Sequence, residues 1–205
     1  MSFHQTLQPG KVSPFAFDGV ALESFATAYP DESAHLQHQI ADHPLLSLTA
    51  LAQLAERMPS DRVEYNRGDL PLGIRPEDTP ANGLSLSETL RTIDSNGSWA
   101  VLKNVERDPA YGALLDAALE DLRPLVEART GPMLHREAFI FITSPGSVTP
   151  FHMDPEHNIL LQIRSDKTMH VFPTHQTETV PPQQSESYAR GGHPNLVWQA
   201  RFLDR

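Results

Sequence analysis

The chain has 205 residues, with 16 Lys and Arg against 26 Asp and Glu, so its formal net charge is −10. This length suits one sizeable domain, and such an acidic chain repels phosphate backbones, which argues against direct nucleic-acid binding. The sequence contains no cysteine, which excludes disulfides and thiolate metal sites. No apolar run approaches the about 18 residues of a membrane span, and no signal peptide is evident, so a cytoplasmic location is expected.

Proline and histidine are both frequent. Proline accounts for 18 of the 205 residues, against about 5% in average proteins, which favours extended segments and turns over a helical bundle. The ten histidines matter because His binds metals and exchanges protons near neutral pH.

The N-terminal segment carries weaker structural signals. Extended pieces are predicted near residues 12–17. Residues 31–44 contain His35 and His38, whose spacing would place both on one face of a short helix. The alternative is a solvent-exposed, His-rich turn.

Two capped helices are predicted next. Ser47 can cap a helix over residues 47–58, in which apolar residues recur at helical spacing. A Ser-x-x-Glu capping box begins a second helix over residues 85–93. The polar, proline-rich residues 60–82 between them are predicted to be a long connection.

A third helix is predicted from the pair Asp108 and Pro109, as the N-cap and the first helical residue. Pro124 is expected to kink or split this helix, and Gly131 to end it.

Strand-forming residues dominate beyond Gly131. Residues 173–195 are expected to form a long loop because of their prolines and glycines. Helices first and strands last favour an α+β fold, in which residues 1–130 pack as a helical and extended part on residues 131–205 within a single structural domain. About six strands are predicted from the β-branched and aromatic runs, at residues 99–103, 138–142, 148–152, 158–164, 168–172 and 196–203.

The chemistry is concentrated around His152 and Asp154. These residues are two apart, so on an extended backbone both side chains point to one face. With a second His from elsewhere they would form the two-His-one-carboxylate set that holds Fe(II). The alternative for a lone His-x-Asp is a pair in a surface turn.

Three further side chains accompany this pair. Lys167 follows across a predicted strand and turn, and its ammonium would suit a carboxylate-bearing ligand. Thr149 and Asn158 supply a hydroxyl and an amide close by. His157 is spaced to face away from the pair and is interpreted as a packed or supporting residue.

Residues 138–173 resemble a known family. The run Thr-Pro-Phe-His-Met-Asp over residues 149–154, with Asn158, Lys167 and the later Val-Phe-Pro, resembles the JmjC/cupin-like 2-oxoglutarate oxygenases. The closest resemblance is to the branch similar to asparaginyl hydroxylase, the factor-inhibiting-HIF type. The fold that this resemblance implies is a cupin-type double-stranded β-helix, or jelly roll, with N-terminal helices.

The resemblance also implies the role of each residue. His152 and Asp154 would bind Fe(II) and form the catalytic metal centre. Lys167 would pair with the distal carboxylate of 2-oxoglutarate, assisted by the hydroxyl of Thr149, and Asn158 would lie near the metal and this cosubstrate. The implied activity is hydroxylation of a C–H bond in a protein side chain or a metabolite.

The third metal ligand has no clear counterpart. The family takes it from a late His after a Gly-Asp turn, and a jelly roll has eight strands. His170, His175 and His193 follow Lys167, and none matches that pattern. The chain is therefore expected to lack the C-terminal strands of the family domain, and to assemble into a homodimer or larger oligomer that covers the exposed edge.

Two other functions stay open. The same fold without a complete ligand set would be a catalytically inactive, cupin-like binding or regulatory protein. A metal hydrolase using other histidines is the third possibility, although no His-Glu-x-x-His helix motif is present.

Overall fold

The computed structural model describes residues 16–71, 74, 78–173 and 176–204. Short 3₁₀ turns at Pro44–Leu46, Ser60–Arg62, Val105–Arg107 and Ala200–Asp204 connect the longer elements. In chain order the helices and strands are α1 (Gly19–Ala28), α2 (Leu48–Arg57), β1 (Val63–Arg67), α3 (Leu86–Arg91), β2 (Ser98–Leu102), α4 (Pro109–Glu120), α5 (Arg123–Thr130), β3 (Ile140–Thr143) and α6 (Pro182–Ala189).

The three strands form one antiparallel sheet in the order β1-β2-β3. In its register Val63 lies opposite Leu102, and Ala100 lies opposite Ile142. Because side chains alternate along a strand, Ala100 and Leu102 of β2 point to the same face of the sheet. Both are buried there beside α2 and α3. Leu54 and Leu90 pack there at 1% exposure each, and burying such a side chain stabilises the fold by about 1.5–3 kcal/mol.

A second apolar cluster joins α1 and α5 to an extended segment far along the chain. Phe25 of α1 and Val126 of α5 are buried together. Ile159, Leu161 and Ile163 pack against this cluster, while the residues between them are exposed. The period-two alternation predicted for residues 158–164 is therefore present, and it attaches this segment to the helices.

The predicted helix termini are confirmed. The side chain of Ser47 accepts the Ala50 N–H at the start of α2, and a complete capping box begins α3. Asp108 caps α4, with Pro109 in its first turn. The predicted third helix is split into α4 and α5, because Pro124 lies in the first turn of α5.

Most of the predicted C-terminal strands are wrong. Strands are found near residues 99–103 and 138–142, as β2 and β3. No ladder forms over residues 148–152, 158–164, 168–172 or 196–203, apart from a single bridge between His152 and Asn195. These segments lack a neighbouring strand to pair with along their length; they are extended or irregular, except that the last of them runs into the 3₁₀ turn at Ala200–Asp204.

Several other expectations are corrected. Part of the predicted connection over residues 60–82 forms β1, and part of the predicted loop over residues 173–195 forms α6. Residues 31–44 form turns and extended backbone in place of the short helix. Of the extended pieces near residues 12–17, positions 12–15 lie outside the described residues, and Phe17 forms a bridge with His38.

The fold class is mixed helix and strand, as the α+β prediction requires. A single three-stranded sheet is not by itself a jelly roll. Large apolar side chains lie on its open side and on the segments beyond it. Those exposed by 45% or more are Phe139, Phe141, Leu160, Met169 and Val171, together with Val20, Leu134 and Val197 elsewhere.

The exit from β3 is fixed by a buried serine. Ser144 is 4% exposed, and its hydroxyl oxygen accepts the Ser98 N–H at 2.9 Å while the hydroxyl donates to the carbonyl of Ile93. The backbone N–H of Ser144 also donates to the Ser98 carbonyl at 2.8 Å. This serine ties the end of β3 to the start of β2 just before the segment that carries the candidate site.

We expect Ser144→Ala to lower the free energy of unfolding by about 1–3 kcal/mol, because it removes the partner of buried polar groups. Urea denaturation followed by circular dichroism measures this loss. Ser95→Ala is the matched control, since Ser95 is exposed and such changes usually stay within about 0.5 kcal/mol. Equal losses in the two variants would contradict a structural role for Ser144.

Candidate functional site

The chain reaches the candidate site through a tight turn. Gly146 has a φ of 77°, a conformation that glycine adopts without the steric cost of a side chain. After this turn the N–H of Val148 donates to the carbonyl of Gly68 at 3.0 Å. Residues 149–158 therefore start from the end of the sheet, at the point where β1 has just finished.

The structure brings His152 and Asp154 together as the spacing predicts. The Nε2 atom of His152 lies 3.5 Å from Oδ2 of Asp154. On the other side of the ring, Nδ1 lies 2.8 Å from the carbonyl of Pro150. Because a carbonyl oxygen can only accept, Nδ1 carries the proton, and Nε2 is the ring nitrogen directed to the carboxylate. Metal-binding histidines are commonly oriented in this way.

Asn158 contacts the same carboxylate. Its Nδ2 donates to Oδ2 of Asp154 at 2.7 Å. This bond fixes the orientation of the carboxylate relative to the imidazole. Asn158 therefore acts on the pair through Asp154.

The pKa values of the pair move apart. The hydrogen bond to Asp154 is the main cause that raises the pKa of His152 above its ordinary value, while burial and the positive charge of Lys167 oppose it. The hydrogen bond from His152 is the main cause that lowers the pKa of Asp154. Each group thus stabilises the charged form of the other, and Lys167 is close enough to act on His152.

Lys167 and Thr149 form a second pair beside the first. The Nζ atom of Lys167 donates to the hydroxyl oxygen of Thr149 at 3.1 Å. Partial burial lowers the pKa of Lys167 from its usual range. Ser165 has a φ of 57° in the turn just before it, which reverses the chain so that Lys167 returns to Thr149.

The reversal depends on packing against the second apolar cluster. The rings of His157 and Tyr29 meet edge to face, and the Tyr29 hydroxyl lies 2.5 Å from Nδ1 of His157. Further along, Nε2 of His38 donates to the carbonyl of Gln162 at 2.9 Å. His157 is exposed but contacts Tyr29, so the start of the segment between Asn158 and Lys167 is attached to the residue that follows α1.

A later segment pairs with the backbone of the site. The N–H of Leu196 donates to the carbonyl of Phe151 at 2.8 Å, and the N–H of Met153 donates to the carbonyl of Pro194 at 3.0 Å. These two bonds place Asn195 opposite His152 in an antiparallel bridge. The pairing ends there because proline has no N–H to donate.

Four aromatic rings cover the opposite side of this pairing. The centroid of the Phe151 ring lies within 5.7 Å of the centroids of three other aromatic rings. Phe202, one of these three residues, is 1% exposed. Because alternate residues point to opposite faces, Phe151 lies on the reverse side of His152. This cluster consists of Phe151, Phe172, Trp198 and Phe202.

Each of the five predicted site residues therefore contacts at least one of the others, but no third candidate ligand is found beside His152 and Asp154 among the described residues. Within the described ranges, no group of three His, Asp or Glu side chains is arranged to hold a metal ion. His170 is exposed, and His193 lies in the segment that pairs with the site. His175 lies outside the described residues.

Sequence reasoning missed Asn195 and the backbone of Pro150 as parts of this site. Nothing local predicts which segments pair here, because the pairing joins residues 151–153 to residues 194–196, about forty positions further along the chain. The local sequence does carry one signal, a polar residue followed by proline at Asp154 and again at His193, because each proline removes a donor that a ladder would need there.

Comparison with protein-family models, with curated proteins and with solved structures gives no match for this chain. Across the part of the chain that the structure describes, no helix is long and apolar enough to cross a membrane. The site must therefore be interpreted from its own geometry.

We expect Asp154→Asn to lower the pKa of His152, because the variant removes the charge and weakens the bond that favour the imidazolium. In the native chain, stability from this pair is lost as pH rises through the raised pKa of His152, and also as pH falls through the lowered pKa of Asp154. NMR titration of the His152 ring proton measures the change.

Asn158→Ala is the matched control for this titration. It leaves the Asp154 carboxylate in place and removes only the bond that orients it. Its effect on the pKa of His152 should therefore be smaller than that of Asp154→Asn. An unchanged His152 pKa in Asp154→Asn would show that the two side chains do not interact in solution.

Proposed function

We propose that this chain is an Fe(II)- and 2-oxoglutarate-dependent oxygenase domain of the JmjC/cupin-like type. The observation that carries the proposal is the juxtaposition of two chemically different pairs. His152 and Asp154 are a metal-ligating pair, and Lys167 and Thr149 form a carboxylate-binding pair that starts three residues earlier in the chain.

The first pair fits a divalent metal ion. The 3.5 Å between Nε2 of His152 and Oδ2 of Asp154 is less than the sum of two metal–ligand bonds of about 2.0–2.2 Å, so one ion can bind both atoms. The carbonyl of Pro150 keeps the proton on Nδ1. Neutral His152 therefore offers its Nε2 lone pair, and an ionised Asp154 offers a carboxylate oxygen.

The second pair fits a dicarboxylate cosubstrate. The ammonium of Lys167 can bind a carboxylate as a point charge, and the hydroxyl of Thr149 can donate to the same group. The 3.1 Å bond between the two side chains holds them ready for one ligand.

Fe(II), when bound with 2-oxoglutarate and O₂, supplies the oxidation that hydroxylates a C–H bond with release of succinate and CO₂. The chain's own residues bind and orient the reactants. His152 and Asp154 fix the metal position, Asn158 fixes the carboxylate, and Lys167 fixes the far end of the cosubstrate.

We propose the double-stranded β-helix as the finer description of the fold. It is supported by the alternation of buried and exposed residues over 159–163 and by the bridge from His152 to Asn195. The first is the burial pattern of a strand, and the second is a minimal antiparallel pairing. The substrate would be a protein side chain or a metabolite, because an acidic chain disfavours nucleic acid.

A binding or regulatory protein without catalysis is the second candidate. It is favoured by the absence of a third convergent ligand among the described residues. Such a protein would bind 2-oxoglutarate through Lys167 and a metal weakly through two ligands, and it would release no succinate.

The test combines binding with turnover. Wild-type chain supplied with Fe(II), 2-oxoglutarate, ascorbate and air is expected to release succinate, measured by mass spectrometry. Lys167→Ala should weaken 2-oxoglutarate binding, measured by anaerobic calorimetry, by about 10–100-fold, the loss of one charge-assisted hydrogen bond.

Lys103→Ala is the matched control, since Lys103 pairs with Glu64 away from the site, and it should bind 2-oxoglutarate like the wild type. Binding without succinate, with or without candidate substrates, would favour the regulatory protein. Equal binding by both lysine variants would contradict the assignment of Lys167.

We also propose that the chain forms a homo-oligomer. β3 is an edge strand of the sheet, and Phe141 on it is 55% exposed. A second copy that pairs with this edge would cover both its free backbone groups and its apolar side chains. Sedimentation velocity should show a dimer or larger species that Phe141→Thr weakens, whereas a monodisperse wild-type monomer would contradict this arrangement.

A further inference from the structure

We propose that Asn96, which precedes Gly97, is a site of spontaneous deamidation whose product disrupts the junction between α3 and β2. Asn-Gly is a turn sequence that has no part in the proposed function, and it occurs twice in this chain, at residues 82–83 and 96–97. The two copies lie on either side of α3, and both direct an asparagine amide to the same buried residues. The inference does not depend on a metal or a cosubstrate.

The reaction needs only these two residues and water. The backbone nitrogen of Gly97 attacks Cγ of Asn96, its N–H proton passes to a solvent base, and the side-chain nitrogen leaves as ammonia after taking a proton from water. Water then opens the resulting succinimide to aspartate or to isoaspartate. Glycine favours the attack because it has no side chain beside its backbone nitrogen, and asparagine is among the thermolabile residues.

The native structure holds both polar atoms of the Asn96 amide. Its Nδ2 donates to the Thr89 carbonyl at 2.8 Å and to the Thr92 hydroxyl at 3.0 Å, and its Oδ1 accepts the Ser98 N–H at 3.1 Å. Thr89 and Ser98 are both 0% exposed. Attack on Cγ requires the side chain to turn and these bonds to break. The native fold therefore slows the reaction to the frequency with which the junction opens locally.

The product of the reaction does not fit this junction. Aspartate replaces the Nδ2 donor of Asn96 with an oxygen, which would face the Thr89 carbonyl, a group that can only accept. Two acceptors at hydrogen-bond distance repel each other, and a buried carbonyl that loses its donor destabilises the fold. Isoaspartate in addition inserts a carbon atom into the main chain, which lengthens the turn between α3 and β2.

Asn82 provides an internal comparison. Its Nδ2 donates to the Thr89 hydroxyl at 2.8 Å and to the Ser98 hydroxyl at 3.0 Å. A hydroxyl can donate as well as accept, so both partners can turn to donate to an aspartate at this position. Gly83 and Gly97 both have positive φ, of 75° and 64°. The two sites therefore share sequence, turn conformation and location, and they differ in whether the amide faces hydroxyls alone or a carbonyl.

The junction also supports the approach to the candidate site. The Ser98 carbonyl accepts the Ser144 N–H at 2.8 Å and the Ser147 hydroxyl at 3.3 Å. The segment that leads to Thr149 is therefore attached to the strand end that follows Asn96 almost directly. Deamidation of Asn96 loosens the start of β2 and, with it, the attachment of this segment.

The first experiment follows the reaction in the wild-type chain. Native and guanidinium-unfolded chains are incubated at the same mildly alkaline pH, and peptide mapping by mass spectrometry measures aspartate and isoaspartate at position 96. Conversion should be at least about 10-fold slower in the native chain, because local opening costs free energy. Ser144→Ala, which removes the hydroxyl 3.1 Å from Oδ1 of Asn96, should speed the native reaction. Equal rates in native and unfolded chains, or no conversion in the unfolded chain, would refute the proposal.

The second experiment measures the effect of the product. Asn96→Asp and its matched control Asn82→Asp add the same charge to the same junction, and urea denaturation gives the equilibrium constant for folding of each. Asn96→Asp should lower this constant by about 10–100-fold, as expected for a buried acceptor that loses its donor, and Asn82→Asp should lower it much less. Failure of Asn96→Asp alone to fold would support the same conclusion. Equal losses in the two variants, or wild-type stability of Asn96→Asp, would overturn it.

Discussion

The candidate site depends on one packing constraint, the partial burial of Ile159, Leu161 and Ile163 against the cluster of α1 and α5. These side chains come from an extended segment with no strand partner along its length, so apolar contact replaces the missing ladder. The chain is thereby held while it turns at Ser165 and returns Lys167 to Thr149. These apolar contacts act together with the hydrogen bond from His38 to the Gln162 carbonyl, which attaches the middle of the same segment.

The site combines groups whose electrostatic needs differ. Asp154 favours the charged form of His152, whereas binding a metal requires that imidazole to be neutral. Lys167 opposes the protonation of His152 by its own charge. The ammonium proposed to hold a carboxylate thus opposes, without outweighing, the effect of Asp154 on the histidine proposed to bind the metal.

Helix boundaries were predictable here because their causes are local. Ser47, Asp108 and Pro124 act within one turn of their own helices, and each has the predicted effect. Most of the C-terminal strands, those predicted beyond β3, were wrong because pairing is decided by distant partners, and proline removed the donors where a partner was present. The two-residue spacing was enough to predict that His152 and Asp154 lie together. That Asn195 lies opposite His152 is known only from the pairing of the two segments in the structure.

The pairing of Phe151 and Met153 with the late segment consists of only two backbone hydrogen bonds. Such a short pairing can open while the sheet stays intact, so local opening has its own free energy, smaller than that of global unfolding. Any ligand that contacts both segments would bind only molecules in which the two segments are paired. Its apparent affinity is therefore lowered in proportion to the fraction of molecules that are paired. Ligand binding and closure of the late segment are thus thermodynamically coupled, and each would promote the other.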